Sequence, residues 1–488
     1  MAAAVWVLLL SLLAPGVALA QTAGTSSLPS PSPLPGAYDP EADPRTPPPA
    51  TIPSAPVLIV PTVPPGAARP TQLFELHPLV GLTEEYTDNF GRVAKDKQDN
   101  LRSTLAPGLQ VRFDRGSLTG EARYVLSAFH DTSSDDLSFF HSMQGGLAWE
   151  ATPLFKLSSS ASYSEGDSPS EADRLGLRQE RRKFTTMGAS LGALYMVSNV
   201  SLQPSYRVSN FSQSEGDETT SQTVGMSAST QVLRIHTVSL GYEYLDSETS
   251  RGTGTSTSTT STSTGSGSGT ATTGHQVTGS VSRELSERSS IGLTAAYAAR
   301  TQEESRPERE TDFNRWSASL FNSYSIPKTI ALRGSIGVSQ LTGGSASGDL
   351  LLTTLTSLSY WFGDAVATVS IERGFSESFS TGENFGVVQT TGMSGSLSYP
   401  FTPWLSGLGS ISYRENEFTG VGGTSSSTGS STSSARTEDT LAGSLSLQLQ
   451  VTRWLGSALG YSYSDTSSTD RGRNVKENRF TLSLNASF

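Results

Sequence analysis

The sequence predicts an all-β fold: a single antiparallel up-and-down transmembrane β-barrel of about 20 strands, with 18 as the alternative count. Three observations carry it. Strict period-two alternation recurs from Leu73 to the end of the chain. The face opposite the apolar one is small and polar, where a soluble barrel would pack Leu, Ile and Val. Tight turns also alternate with longer polar connections, as expected of short periplasmic turns and long extracellular loops.

The closing stretch "RFTLSLNASF" (479–488) displays the alternation most plainly. Phe480, Leu482, Leu484, Ala486 and Phe488 share one face, and Arg479, Thr481, Ser483, Asn485 and Ser487 the other. A unit of strand, short break and aromatic-ended strand recurs in "WEATPLFKLSSSASYSE" from Trp149, "YPFTPWLSGLGSISYRE" from Tyr399 and "LQVTRWLGSALGYSYSD" from Leu447. Looser copies bring the tight turns to about nine, the first at "FDRGS" (Phe113–Ser117). With an opening strand over Leu73–Tyr86 and the terminal strand, the total is roughly twenty, and an even number puts both chain ends on the periplasmic side. The long connections are expected at Glu165–Glu180, Ser212–Thr220, Ser247–Gly274, Gln302–Thr311 and Thr419–Thr437. Two of these are Ser/Thr/Gly low-complexity sequence, expected to be mobile flaps rather than folded plugs.

The phase of each strand assigns its faces. Leu441, Leu445, Leu447, Leu449 and Val451 face lipid, and aromatics such as Trp149, Tyr195, Tyr242, Tyr297, Tyr360, Tyr399 and Trp404 gather at strand ends as girdles. The other phase is lumenal. It carries Ser444, Ser446, Gln448 and Gln450 on one strand and Gly456, Ala458 and Gly460 on the next. Charges in this phase are Glu75, Arg102, Arg112, Glu121, Arg123, Lys156, Arg207, Glu243, Arg333, Glu372 and Arg479. Both signs occur without a dominant ring, so these side chains are expected to pair across neighbouring strands rather than form a selectivity filter.

Composition narrows the function classes. The chain has 488 residues and a net charge of -11, which argues against nucleic-acid binding. Mean hydropathy is -0.26, and no apolar stretch after the N-terminus reaches the ~18 residues of a membrane helix. Cysteine is absent, which removes disulfides and thiolate chemistry. No G-x-S-x-G, H-E-x-x-H or Walker-type glycine loop occurs, and the five histidines are isolated from one another. The expectation is a non-enzyme with no catalytic residues, no bound metal and no cofactor.

Residues 1–20 read as a secretory signal peptide: an apolar run from Val5 to Leu13, then Ala18-Leu19-Ala20 before Gln21. Its n-region lacks Lys and Arg. Residues 21–70 are Pro-rich and read as a disordered periplasmic linker, with "VLIV" (57–60) its one apolar spot. The barrel is assigned to 71–488.

The first barrel segment, "FELHPLVGLTEEYTDNFGRVAKDKQDNLRSTLAPGLQVRF", resembles the opening of a family of large outer-membrane β-barrel porins associated with exopolysaccharide export. "EEYTDN" (Glu84–Asn89) and "LAPGLQV" (Leu105–Val111) look like that family's first hairpin, and the similarity runs from about Leu73 to Phe488. The resemblance implies an outer-membrane exit for a polysaccharide, with a periplasmic polysaccharide export protein as partner. The residues themselves show only a wide, polar, nearly neutral lumen. A general diffusion porin and a structural or adhesive barrel stay open beside it. Outer-membrane lipids are the expected surroundings. Phe480, Leu482, Leu484 and Phe488 resemble the C-terminal signal read by the barrel-assembly machinery.

Overall fold

Alternation continued over so many consecutive segments leaves each strand with one edge for its predecessor and one for its successor. The computed structural model, which describes residues 74–167, 181–213, 217–233, 235–251, 269–305, 308–343, 346–377, 386–419, 436–469 and 473–488, realises that meander. Its strands are β1 (Phe74–Thr87), β2 (Asn100–Arg115), β3 (Leu118–Asp131), β4 (Asp136–Thr152), β5 (Phe155–Gly166), β6 (Phe184–Val197) and β7 (Val200–Gln213). There follow β8 (Asp217–Val232), β9 (His236–Arg251), β10 (Gly269–Ser286), β11 (Ser289–Ser305), β12 (Glu308–Ile326), β13 (Ile330–Gly343) and β14 (Ala346–Phe362). The last are β15 (Ala365–Glu377), β16 (Val387–Thr402), β17 (Leu405–Phe418), β18 (Arg436–Gln450), β19 (Leu455–Ser468) and β20 (Val475–Ser487). The expected 20-strand antiparallel barrel is what forms, and the described residues contain no helix. The signal peptide, the linker and most of the two low-complexity connections lie outside the described residues.

Each strand pairs antiparallel with the next, and β1 closes the ring against β20, from Leu79↔Ser487 to Thr87↔Arg479. Closure leaves no free sheet edge along the paired span, the condition under which β-structure can cross a bilayer. Nine short turns join the strands at one end. Two of them place glycine where φ is positive, Gly116 at 64° and Gly363 at 65°, a region that costs other residues steric strain. The side chain of Asp114 steadies the first by accepting the Gly116 N–H at 3.1 Å.

The other end differs from expectation in three places. The ends of Ser247–Gly274 are strand, with Ser247 paired to Thr272 and Thr249 to Thr270, so that the connection narrows to 252–268. Ser212–Thr220 and Gln302–Thr311 are largely strand: β7 runs to Gln213 and β8 resumes at Asp217, while Gln302 pairs with Thr311 and Glu303 with Glu310. These ends are polar on both faces, so the two-residue period vanishes from the sequence while the backbone ladder continues. Other connections there are long, including 167–183, 252–268 and 419–435.

The two faces are inverted relative to a soluble barrel. Large apolar side chains lie bare on the outside, with Leu445, Leu293 and Ile411 each more than 60% exposed. The inward positions bury polar groups, among them Thr83, Ser221, Thr272, Ser339 and Ser464. Leaving a Leu or Ile in water forgoes roughly 1.5–3 kcal/mol each, so an exterior built this way is matched to hydrocarbon. With closure and a polar interior, this makes the chain an outer-membrane β-barrel.

Candidate functional site: the lumen wall

Because side chains alternate, every strand delivers about half of its residues to the interior, and the register decides which of them meet. Ser444 stands opposite Ser410 on one side and Ser462 on the other, while neighbouring Leu445 stands opposite Gly409 and Tyr461 on the outer face. Repeated around the ring, this brings hydroxyls together in cross-strand pairs. Ser160 and Ser190 lie 2.7 Å apart, Ser201 and Ser229 2.6 Å, and Ser239 and Ser280 2.6 Å. Ser290 with Ser323, Ser370 with Ser394 and Ser410 with Ser444 continue the belt at 2.6–2.7 Å. Each hydroxyl pair uses one donor and leaves acceptor capacity free toward the lumen.

The charged candidates all fall on this inner phase, and the structure distributes them unevenly. Arg112 faces Glu121 at 3.9 Å, and Lys156 donates to Glu150 at 2.6 Å, both near the short-turn end. Arg414 reaches over β16 to Glu372 at 2.8 Å. Glu75 lies 3.3 Å from His77. Arg207 and Glu243 sit on opposite sides of β8, and neither is free of partners. Gln448 projects beside Ala458, and Gln450 donates to the Thr452 carbonyl at 2.5 Å in the last short turn. Outside, Phe480 packs between Tyr86 and Tyr461 with centroids 6.5 and 4.8 Å away, and Phe488 stacks on Trp454 at 5.5 Å.

Arg102 and Arg479 belong to a buried cluster at the long-connection end. Arg102 clamps Asp131 on β3 through Nε at 2.8 Å and Nη2 at 2.7 Å, and its guanidinium lies over Phe129 at 4.2 Å. The same guanidinium donates to Asp167, just past β5, at 3.0 and 2.7 Å, and Arg181 donates to Asp167 at 3.2 Å. Glu85 lies 3.7 Å from Arg181 and 3.8 Å from Arg479. Arg479 donates to Glu477 at 2.9 Å, and Arg92 approaches the same carboxylate at 3.3 Å. Burial pushes the Asp167 carboxyl up, and Arg181 and Arg102 more than reverse it, holding the group below the usual carboxylate range.

A second cluster repeats this arrangement. Glu377, the last residue of β15, lies 3.2 Å from Arg300 on β11 and 2.9 Å from Arg315 on β12. Phe313, Leu341 and Val387 pack beside it, with Phe375 against them. Asp167 reaches over two strands to Arg102, and Glu377 over three to Arg300, contacts that only the concave side of the sheet permits. Since β5 and β15 are ten strands apart in a ring of twenty, the chain leans into the lumen from opposite sides.

Sequence reasoning missed Asp131, Asp167, Arg181, Arg300, Arg315 and Glu377 as site residues. The inward phase of β3, β11 and β12 could have flagged Asp131, Arg300 and Arg315, whereas Glu377 shares the parity of the exposed Val369 and Ile371 on β15 and turns inward only at the strand's end. Asp167 and Arg181 lie in a connection, where no periodicity speaks.

No protein-family model matches the chain, and no curated protein matches it in sequence. Among solved structures, the chain is similar to the ferric-catecholate import receptor Fiu from E. coli K12 in its open form, at 10% identity and a TM-score of 0.52, over 85% of this chain and 82% of that one. It also matches the ferric citrate transporter FecA at 13% identity and a TM-score of 0.49, over 85% and 79%. The siderophore receptor PirA from Pseudomonas aeruginosa matches at 12% and 0.46, over 86% and 81%. At such identities the likeness to Fiu speaks for the barrel fold alone.

Proposed function

We propose that this barrel is an outer-membrane exit conduit for a secreted polysaccharide, working with a periplasmic polysaccharide export partner. The belt of cross-strand hydroxyl pairs around the lumen is the observation that carries the reading. A hydrated glycan presents hydroxyls that exchange readily with those of Ser and Thr. Many weak, equivalent contacts hold no segment in a deep minimum, and favourable entrance with easy departure is what conduction requires. A ring of this size leaves an aqueous channel rather than a side-chain-filled core. The wall performs no chemistry in this reading; polymer synthesis and the periplasmic partner supply the drive.

Deleting the gene in its Gram-negative host tests this. The deletion strain should still synthesise polymer but retain it, with surface polysaccharide restored by the full-length chain. Normal surface polymer in the deletion strain would remove the export role and leave a general diffusion porin or a structural barrel.

A further inference from the structure

Pairing neutralises most of the lumenal charge, and what survives it is informative. Near the short-turn end, Arg112 is met by Glu121 and Lys156 by Glu150; farther along, Arg414 is met by Glu372. Arg123 on β3 and Arg333 on β13 differ. Among the described residues no carboxylate pairs with either, and the buried Nε of Arg123 has no hydrogen-bond partner. Arg123 is the sixth residue of its strand and Arg333 the fourth, both counted from the short-turn end. Their strands are ten apart in the ring of twenty, so the two guanidinium groups project from opposite walls of the periplasmic half.

The neighbours of each suit a sugar chain. Arg123 stands between Gln110 and Gln144 in register, and Arg333 between Ser323 and Ser357. A guanidinium is always charged and offers a planar fork that fits one carboxylate, while amides and hydroxyls serve sugar hydroxyls. Isolated single arginines match a monoanion; a phosphate dianion is better met by clustered cations.

We propose that Arg123 and Arg333 recognise carboxylates on the passing chain, so that the conduit takes an acidic, uronate-bearing polysaccharide rather than a neutral one. This rests on the conduit reading above. Two opposed cations near the periplasmic mouth raise the local concentration of an anionic polymer without closing the path. Because each is a solitary contact, the polymer can leave as readily as it arrives.

The test uses the full-length barrel in planar bilayers, with hexagalacturonate and maltohexaose added on the short-turn side as current-blocking probes. Hexagalacturonate should block at lower concentration than maltohexaose. R123Q and R333Q should each weaken hexagalacturonate block by up to about fivefold, the scale of a solvated ion pair, and leave maltohexaose block unchanged. R123K and R333K should retain part of the preference. In the wild-type barrel, moving from 0.1 to 1 M salt, where the Debye length falls from about 10 to 3 Å, should erase it even if a variant fails to assemble. Equal block by the two probes in the wild-type barrel, or a preference that survives R123Q/R333Q, overturns the assignment. If neither probe disturbs the current, the conduit reading falls with it; if maltohexaose alone does, only the acidic-substrate assignment falls.

Discussion

Asp167 receives two hydrogen bonds from Arg102, at 3.0 and 2.7 Å, although two strands, β3 and β4, separate β5 from β2. That fork draws the base of the β5–β6 connection over the lumenal face of β1–β3. It also links Arg181, Glu85 and the β20 arginine Arg479 into one cluster across the seam. Replacing Asp167 with Asn leaves two buried guanidinium groups short of a counter-charge. Breaking a buried pair from one side costs about 3–5 kcal/mol in general, and only part of that applies at a wet rim. D167N should therefore show larger single-channel conductance and earlier proteolysis of the β5–β6 connection, with heat-modifiability on gels retained. Unchanged conductance and proteolysis would mean that the fork does not restrain the connection.

Acid should mimic that variant. The folded-state pKa of Asp167 is depressed, so its stabilisation is fully present above the ordinary Asp value of about 3.9 and is lost as pH falls through the lower folded value. Proteolysis of the connection, assayed with an acid-active protease, should accelerate below about pH 4 in the wild-type barrel and show a weaker acid response in D167N. An equal acid response in the two proteins would place the titrating group elsewhere.

Phe488 closes the seam from the other end. Its N–H donates to the Pro78 carbonyl at 3.0 Å, and its ring stacks on Trp454. An aromatic pair adds about 0.5–1.5 kcal/mol beyond its buried area, and here it locks the last strand in register. Removing Phe488 should lower the heat-modifiable, outer-membrane fraction. Normal levels of assembled barrel would show that the final residue matters neither to the seam nor to its recognition.

Glycines on the wall divide by the room around them. A Cβ at Gly456 or Gly460 meets nothing nearer than 3.8 Å, so G456W and G460W should assemble normally and extend into the lumen, lowering conductance. At Gly337 a Cβ would fall 2.2 Å from the Ala318 carbonyl oxygen and 2.6 Å from the Ser319 Cα, so G337V should reduce assembly instead. Immunoblots of heated and unheated membranes, with conductance of the purified variants, separate the two effects. Equal assembly of G337V and G460W would contradict the packing described for β12 and β13.

The fold was legible because lipid enforces the alternation: one apolar residue in every two is required wherever a strand crosses hydrocarbon. Leu441, Leu445 and Leu447 therefore marked β18 as clearly as its hydrogen bonds do. Legibility faded where that pressure ends. Gln302–Thr311 reads as a loop because residues beyond the bilayer are polar on both faces, yet Glu303 pairs with Glu310. The inward phase of Arg102 and Arg123 could be read from parity, but not that one is clamped by two aspartates while the other has none. Those partners depend on Asp167 reaching over two strands, a contact of tertiary origin that no local pattern encodes.

The central claim is that the lumen is an open, hydroxyl-lined path for glycans, and solute uptake into proteoliposomes tests it most directly. Vesicles carrying the purified full-length barrel should swell in isotonic maltose, maltotetraose and maltohexaose, at rates that decline gradually with chain length as expected for a wet lumen without a deep binding site. Protein-free vesicles should not swell. Vesicles holding correctly assembled, heat-modifiable barrel that exclude even maltose would contradict the account and make the barrel a structural element of the membrane.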